Sequence, residues 1–264
     1  MNFTRRDTLM LAAAASALSL CGVATANAAE GDMIAVDKLM APAGGYVDHT
    51  EGSKSAPVTV IEYASPTCPH CAAFSNDVLP AFRESYVDTG KVLLVTRPFM
   101  RNVLDAAVFM LADAAGPENY HNVLSTFFKT QVTWAASEKP RDAILEVAKQ
   151  LGFTQETFDA ALTNQDLFTG LEAVRDQALN EFGLVGTPTF YVNGKTLSGD
   201  KSLEELAAAI DPLVPADFVA SAPAAAPEAT APADAMAPAA DAMAPATDAM
   251  APAADAMAPA APAK

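Results

Sequence analysis

Residues 58–71 read Val58-Thr59-Val60-Ile61-Glu62-Tyr63-Ala64-Ser65-Pro66-Thr67-Cys68-Pro69-His70-Cys71. The run Val58–Tyr63 is nearly continuous in apolar and β-branched residues, which suits a strand buried on both faces. Past Cys71, Phe74, Val78, Leu79 and Phe82 recur at helical spacing, and Lys91–Thr96 is a second buried strand. Strand, helix, strand makes a βαβ unit with parallel strands. The two cysteines, separated by two residues, stand where the first strand hands over to the helix. Thiols at that spacing close a small disulfide at a helix start, which is a redox motif.

The order of the residues sets the chemistry. Cys68, the first cysteine, lies at the helix N-terminus, where unpaired N–H groups and the positive end of the dipole favour a thiolate. Pro69 suits the first helical position. A protonated His70 adds positive charge beside the sulfur. Cys71 faces inward as the less accessible thiol. A stable Cys68 thiolate favours the reduced pair, so its disulfide is a strong oxidant. Glu62 sits in the strand six residues earlier. It has two readings: a proton acceptor for Cys71 with a raised pKa, or a carboxylate at a strand edge facing solvent.

A metal site is the main competing reading of the cysteine pair. A closed zinc site needs about four ligands, and the remaining histidines are His49 and His121. Both are read as surface or cap residues. Phe127, Phe128 and Trp134 are read as core or groove lining. A purely structural disulfide is disfavoured because so short a loop removes little unfolded-state entropy.

Downstream, five amphipathic stretches predict helices over Asp105–Ala115, Glu118–Thr133, Pro140–Leu151, Thr154–Leu162 and Asp166–Phe182. Thr189–Val192 and Lys195–Leu197 flank Asn193-Gly194, a type I′ hairpin signal. Ser202 and Glu205 form a capping box that opens a last helix reaching about Leu213. The fold class expected is α/β: a βαβ half, a helical insertion over about 101–183, and a ββα half, within a domain spanning 30–214.

The two ends read differently. Residues 1–28 carry Arg5 and Arg6, an apolar run Leu9–Val23 and small residues from Ala24, the plan of a cleaved export signal. Thr4-Arg5-Arg6 resembles the start of a twin-arginine signal, although Thr8 and Met10 depart from it. Cleavage is expected after Ala26 or Ala28. Lipidation at Cys21 is disfavoured because Leu20 is bulky for that site. Residues 215–264 hold four copies of Ala-Asp-Ala-Met-Ala-Pro-Ala, one starting at Thr247. A proline in each unit defeats a helix, so a disordered spacer is expected. Met236, Met243, Met250 and Met257 as Cu(I) ligands are the weaker reading.

The whole chain has 264 residues and a net charge of −16. That acidity excludes a nucleic-acid binder, which needs a basic face, and disfavours an anionic membrane surface. Three cysteines are too few for a disulfide-stapled scaffold.

Together, Cys68-Pro69-His70-Cys71, Glu62, the helical insertion and Gly186-Thr187-Pro188-Thr189-Phe190-Tyr191-Val192-Asn193-Gly194 resemble the DsbA-like thiol:disulfide oxidoreductases of the thioredoxin superfamily. The resemblance covers about Val58 to Leu213. It implies a thioredoxin-like fold and a periplasmic oxidase of exported proteins that acts through a mixed disulfide. Cys68 is then the nucleophile, Cys71 its buried partner, His70 the main tuner, Glu62 the proton acceptor and Pro188 a cis-proline facing the disulfide. Thr187 offers its backbone to an extended substrate peptide, with Pro69 beside it. No cofactor beyond the Cys68–Cys71 disulfide and no metal is implied. The implied partners are reduced periplasmic proteins and a membrane quinone-linked reoxidant, with the chain a monomer. A reductase or isomerase of the same fold, and a chaperone or metal-handling module, are the alternatives.

Overall fold

The computed structural model describes residues 29–220. The expected export signal, residues 1–28, and the repeats from residue 221 lie outside the described residues.

A five-stranded sheet organises the chain. Its strands are β1 (Thr50–Glu51), β2 (Val58–Ala64), β3 (Val92–Pro98), β4 (Thr189–Val192) and β5 (Lys195–Ser198). They lie in the order β1-β3-β2-β4-β5. β2 and β3 are parallel, as the βαβ reading requires, and the other pairings are antiparallel. In the β4–β5 hairpin Asn193 and Gly194 take φ of 44° and 92°, the left-handed pair that a type I′ turn demands. Gly194 also admits a close neighbour: a Cβ there would stand 2.1 Å from the Ile34 carbonyl oxygen. That neighbour belongs to an arm, residues 31–34, that runs along β5. Gly31 N–H donates to Thr196 O, Thr196 N–H to Asp32 O and Ile34 N–H to Gly194 O, each at 2.8 Å.

Side chains alternate across the sheet. Val58 and Val60 of β2, Val92 and Leu94 of β3 and Phe190 of β4 form one core with Phe74, Phe82, Leu206 and Ile210. Ile61, Tyr63 and Val95 point the other way, into a larger core with the helical block. Glu62 therefore follows Val58 and Val60 onto the first face, opposite Thr96 in the parallel register.

The helices are α1 (Val36–Leu39), α2 (Pro69–Ala73), α3 (Leu79–Phe82), α4 (Val103–Ala114), α5 (Tyr120–Lys129), α6 (Gln131–Trp134), α7 (Pro140–Gln150), α8 (Gln155–Ala161), α9 (Gln165–Glu181) and α10 (Leu203–Ile210). The single helix expected after Cys71 is α2 and α3 with π turns at Phe74–Val78 and Arg83–Val87. Pro80, which has no N–H to give the ladder, sits just past the first π turn. Between β3 and β4 the structure has six helices where five were expected, because the stretch 118–133 breaks at Thr130 (φ −101°, ψ 10°). The capping box holds: Glu205 N–H donates to Ser202 Oγ at 3.2 Å and Ser202 N–H to Glu205 Oε2 at 2.8 Å. α10 stops at Ile210, and a 3-10 turn carries the chain to Leu213. Among the described residues no helix is long and apolar enough to cross a membrane.

Candidate active site

Cys68 is the N-cap of α2, with an extended backbone (φ −85°, ψ 120°), and Pro69 follows as the first helical residue. Both thiols are free, so the structure is of the dithiol state. The sulfur of Cys68 donates to the Thr187 carbonyl oxygen at 3.2 Å. The Thr187–Pro188 peptide is cis. Two segments distant in sequence thus meet at one sulfur: the start of α2 and the strand entry at Thr187-Pro188.

The two thiols differ sharply. Cys68 is pushed down to about 5, first by a hydrogen bond from the Cys71 thiol, then by Thr187 and the first-turn N–H groups of Cys71 and His70, against the opposing effect of burial. Thr187 Oγ1 is buried with no hydrogen-bond partner, so its hydroxyl is free to serve the thiolate while its carbonyl serves the thiol. Cys71 moves the opposite way. Burial raises it well above the ordinary thiol value, helped by Cys68 and by the charge of Glu62. Burial likewise raises Glu62 to about 8, with Glu51 and Cys68 adding to the effect and Arg83 opposing it. Glu62 is 2% exposed, so the solvent-facing reading of this carboxylate does not hold.

His70 is placed differently from the sequence expectation. Its ring is exposed, and Nδ1 lies 2.6 Å from Asp200 Oδ2. What His70 gives the Cys68 sulfur here is its backbone N–H.

Sequence reading missed the residues that hold the motif in place. Asp105, fully buried, accepts from Ser65 Oγ at 2.9 Å, Thr67 N–H at 2.7 Å and Arg101 N–H at 2.9 Å. Gln131 Nε2 donates to the carbonyls of Pro66 at 2.6 Å and Cys68 at 2.9 Å. The break before α6 is what turns Gln131 toward that loop. The histidine expectations are also corrected. His49 stacks on Tyr120 at 3.8 Å and meets Asp113 at 3.1 Å. His121 is tucked against Glu51, Nδ1 to Oε1 3.2 Å, with its side chain 17% exposed. Both are half-buried: the helical insertion covers His49, and His121, itself on α5, packs against β1. Phe127 and Trp134 are fully buried, and Trp134 Nε1 donates to Phe127 O at 2.8 Å.

Among the described residues no group of three or more His, Cys, Asp or Glu side chains is arranged to hold a metal ion.

The thioredoxin family model matches residues 46–212. A Rickettsia bellii protein named "Putative protein-disulfide oxidoreductase" is 32% identical over 168 residues, which is 62% of this chain and 63% of that protein. The chain thus spans about three fifths of the length of such curated relatives, 63% and 59% for two Rickettsia proteins. The crystal structure of Wolbachia pipientis alpha-DsbA1 superposes with a TM-score of 0.62 at 27% identity, covering 67% of this chain and 94% of that one. A protein-disulfide isomerase from Novosphingobium aromaticivorans gives 0.56 at 25% identity, covering 63% and 97%. The cysteine pair at a strand-to-helix turn, the cis-proline opposite it and these matches have one meaning: the chain belongs to the thioredoxin family, as a DsbA-like member of it.

Proposed function

We propose that this chain is an exported thiol:disulfide oxidase that donates the Cys68–Cys71 disulfide to reduced proteins of the periplasm. The observation that carries the reading is the asymmetry of the two thiols, one pushed down to about 5 and the other raised well above its ordinary value. At pH 7 a thiol at 5 rather than its ordinary 9.0 stabilises the reduced form by about 3 kcal/mol. That corresponds to roughly 60 mV in a two-electron couple. The pair is therefore biased to accept electrons, which is what a disulfide donor requires.

In this mechanism a substrate thiolate attacks Cys68 Sγ. The Cys68–Cys71 bond breaks, and its electron pair goes to the Cys71 sulfur, which takes a proton from Glu62. A second substrate thiolate attacks the substrate sulfur of the mixed disulfide and releases the Cys68 thiolate. The substrate has lost two electrons and the enzyme pair has gained them. Thr187 and Pro69 flank the sulfur where an extended peptide would lie, Pro188 faces it and His70 tunes it. A membrane quinone-linked partner restores the disulfide, and the chain works as a monomer. Residues 1–28 direct export, residues 30–214 are the working domain, and the tail from 215 is a spacer.

The test is the reduction potential of the mature chain, measured by equilibration with glutathione buffers. A value near the −120 mV or so of DsbA supports a donor, whereas one near the −270 mV or so of thioredoxin contradicts it, a gap of roughly 7 kcal/mol. Cys68→Ser abolishes exchange under this reading, and retained oxidation of reduced proteins would overturn it.

A further inference from the structure

Among the buried polar atoms without hydrogen-bond partners are Glu62 Oε1 and His121 Nε2. Both residues line one small cavity of about 10 Å³, walled also by Ser75, Arg83, Thr96 and Ser125. That volume holds about one water. A buried polar group left unpaired costs about 1–3 kcal/mol, so a shared water satisfies two such groups at once. On its far side His121 Nδ1 lies 3.2 Å from Glu51 Oε1. Glu51 accepts from Arg83 Nε at 2.7 Å and Nη2 at 2.9 Å. The Glu51 and Arg83 side chains are 19% and 26% exposed, so the chain of groups ends at solvent. The two-residue strand β1 is what delivers Glu51 to this point.

We propose that His121 is a proton-relay residue, linking Glu62 through one cavity water to Glu51 and the solvent. The inference rests on the disulfide-exchange reading above and adds the route by which its proton enters and leaves. During reoxidation the Cys71 thiol gives its proton to the Glu62 carboxylate. Glu62 passes a proton to the water, the water passes one to His121 Nε2, and His121 Nδ1–H passes one to Glu51 and out. The Cys71 thiolate then attacks the Cys68 sulfur of a mixed disulfide and expels the partner's thiolate. One proton leaves and no electron travels the relay. Reduction runs the same path inward.

The surroundings of His121 suit this role. Glu51 on β1 favours its cation, while burial, the largest influence, together with Arg83 and His49, lowers its pKa. The ring is thus neutral at rest, with Nδ1 beside Glu51 and Nε2 facing the cavity, so one nitrogen carries the proton and the other a lone pair. Glu62, raised to about 8, exchanges protons at neutral pH.

The experiment compares the mature wild-type chain with His121→Gln and Glu62→Gln. It follows reduction by dithiothreitol and oxidation by oxidised glutathione from pH 5 to 9, with the Glu62 carboxyl band read by infrared spectroscopy. Glutamine keeps a polar side chain but carries no titrating proton. His121→Gln is expected to slow the Cys71-dependent step on the order of tenfold and to move the carboxyl titration, while Cys68 alkylation keeps its midpoint. Wild-type rates and an unmoved carboxyl band in His121→Gln would overturn the relay. If the wild-type chain itself exchanges no disulfide, the functional reading falls and the relay with it. Should His121→Gln fail to fold, nitrogen NMR of the native chain, which has three histidines, decides the matter. The His121 nitrogens must respond to reduction and to the Glu62 titration, and their silence sinks the proposal.

Discussion

The Cys68 thiol and the Thr187 carbonyl are joined by a 3.2 Å hydrogen bond between residues 119 positions apart in the chain. The same threonine has a buried hydroxyl with no hydrogen-bond partner, free to turn to the thiolate. Thr187→Val removes the hydroxyl and keeps the shape. Thiolate formation at Cys68 is expected to move up from about 5 by roughly one pH unit, the worth of a hydrogen bond to a charged group. Fold stability changes little, since that hydroxyl has no hydrogen-bond partner. Alkylation rate against pH reads the first effect and thermal melting the second.

The depressed Cys68 pKa makes the reduced form's stability depend on pH. Its contribution is fully present above the ordinary value of 9.0, declines as pH falls, and is gone below about 5. Urea melts of the reduced and disulfide forms at pH 5, 7 and 9 should therefore show the difference between them shifting toward the reduced form as pH rises. A pH-independent difference would contradict the depressed thiol.

Glu62 has the opposite sign. Its carboxyl is raised from the ordinary 4.5 to about 8, so it weakens the fold increasingly from pH 4.5 upward. At pH 7 the cost is about 3 kcal/mol. Glu62→Gln should be more stable than wild type by about that order at pH 7 and equal to it at pH 4, while exchanging disulfides more slowly. Parallel melts at the two pH values check this trade of stability for activity.

Asp105 ties the loop before Cys68 to the start of α4. Asp105→Ala strands the N–H groups of Thr67 and Arg101. A loss of about 3 kcal/mol is expected, a fall of roughly 10 °C in Tm for a domain of this size. Asp105→Asn keeps an acceptor oxygen and should lose less. Calorimetry of the three proteins ranks them.

Asp200 holds the His70 ring at 2.6 Å, and both are exposed. Asp200→Asn removes the charged partner of the His70 ring and leaves the ring free to turn toward Cys68. The potential should become more oxidising, on the order of 10 mV, as befits a surface pair. Glutathione equilibration of the variant beside wild type measures the change, and a shift to more reducing values would contradict it.

The sheet, the hairpin, the capping box and the cysteine motif were legible because each is written in a few neighbouring residues. Apolar alternation, Asn193-Gly194, Ser202 with Glu205, and Cys68-Pro69-His70-Cys71 act locally. Asp105, Gln131 and His121 were not legible. Their partners lie 38 residues away at Thr67, 63 at Cys68 and on the short strand β1. Nothing in their own neighbourhoods marks them. The break at Thr130, which aims Gln131, was hidden because the apolar period continues through it. β1 escaped notice because two residues carry no alternation to read. His70 was legible as a residue of the motif but not in its orientation, which depends on Asp200 from a distant loop.

The arm at residues 31–34 lies along the outer side of β5, giving that strand's N–H and C=O groups partners they would otherwise lack. Bare strand edges are templates for another chain. The function proposed above would place this chain among many extended segments seeking such a template. The arm covers that edge of the sheet, so a few residues ahead of the first helix guard the fold against coaggregation.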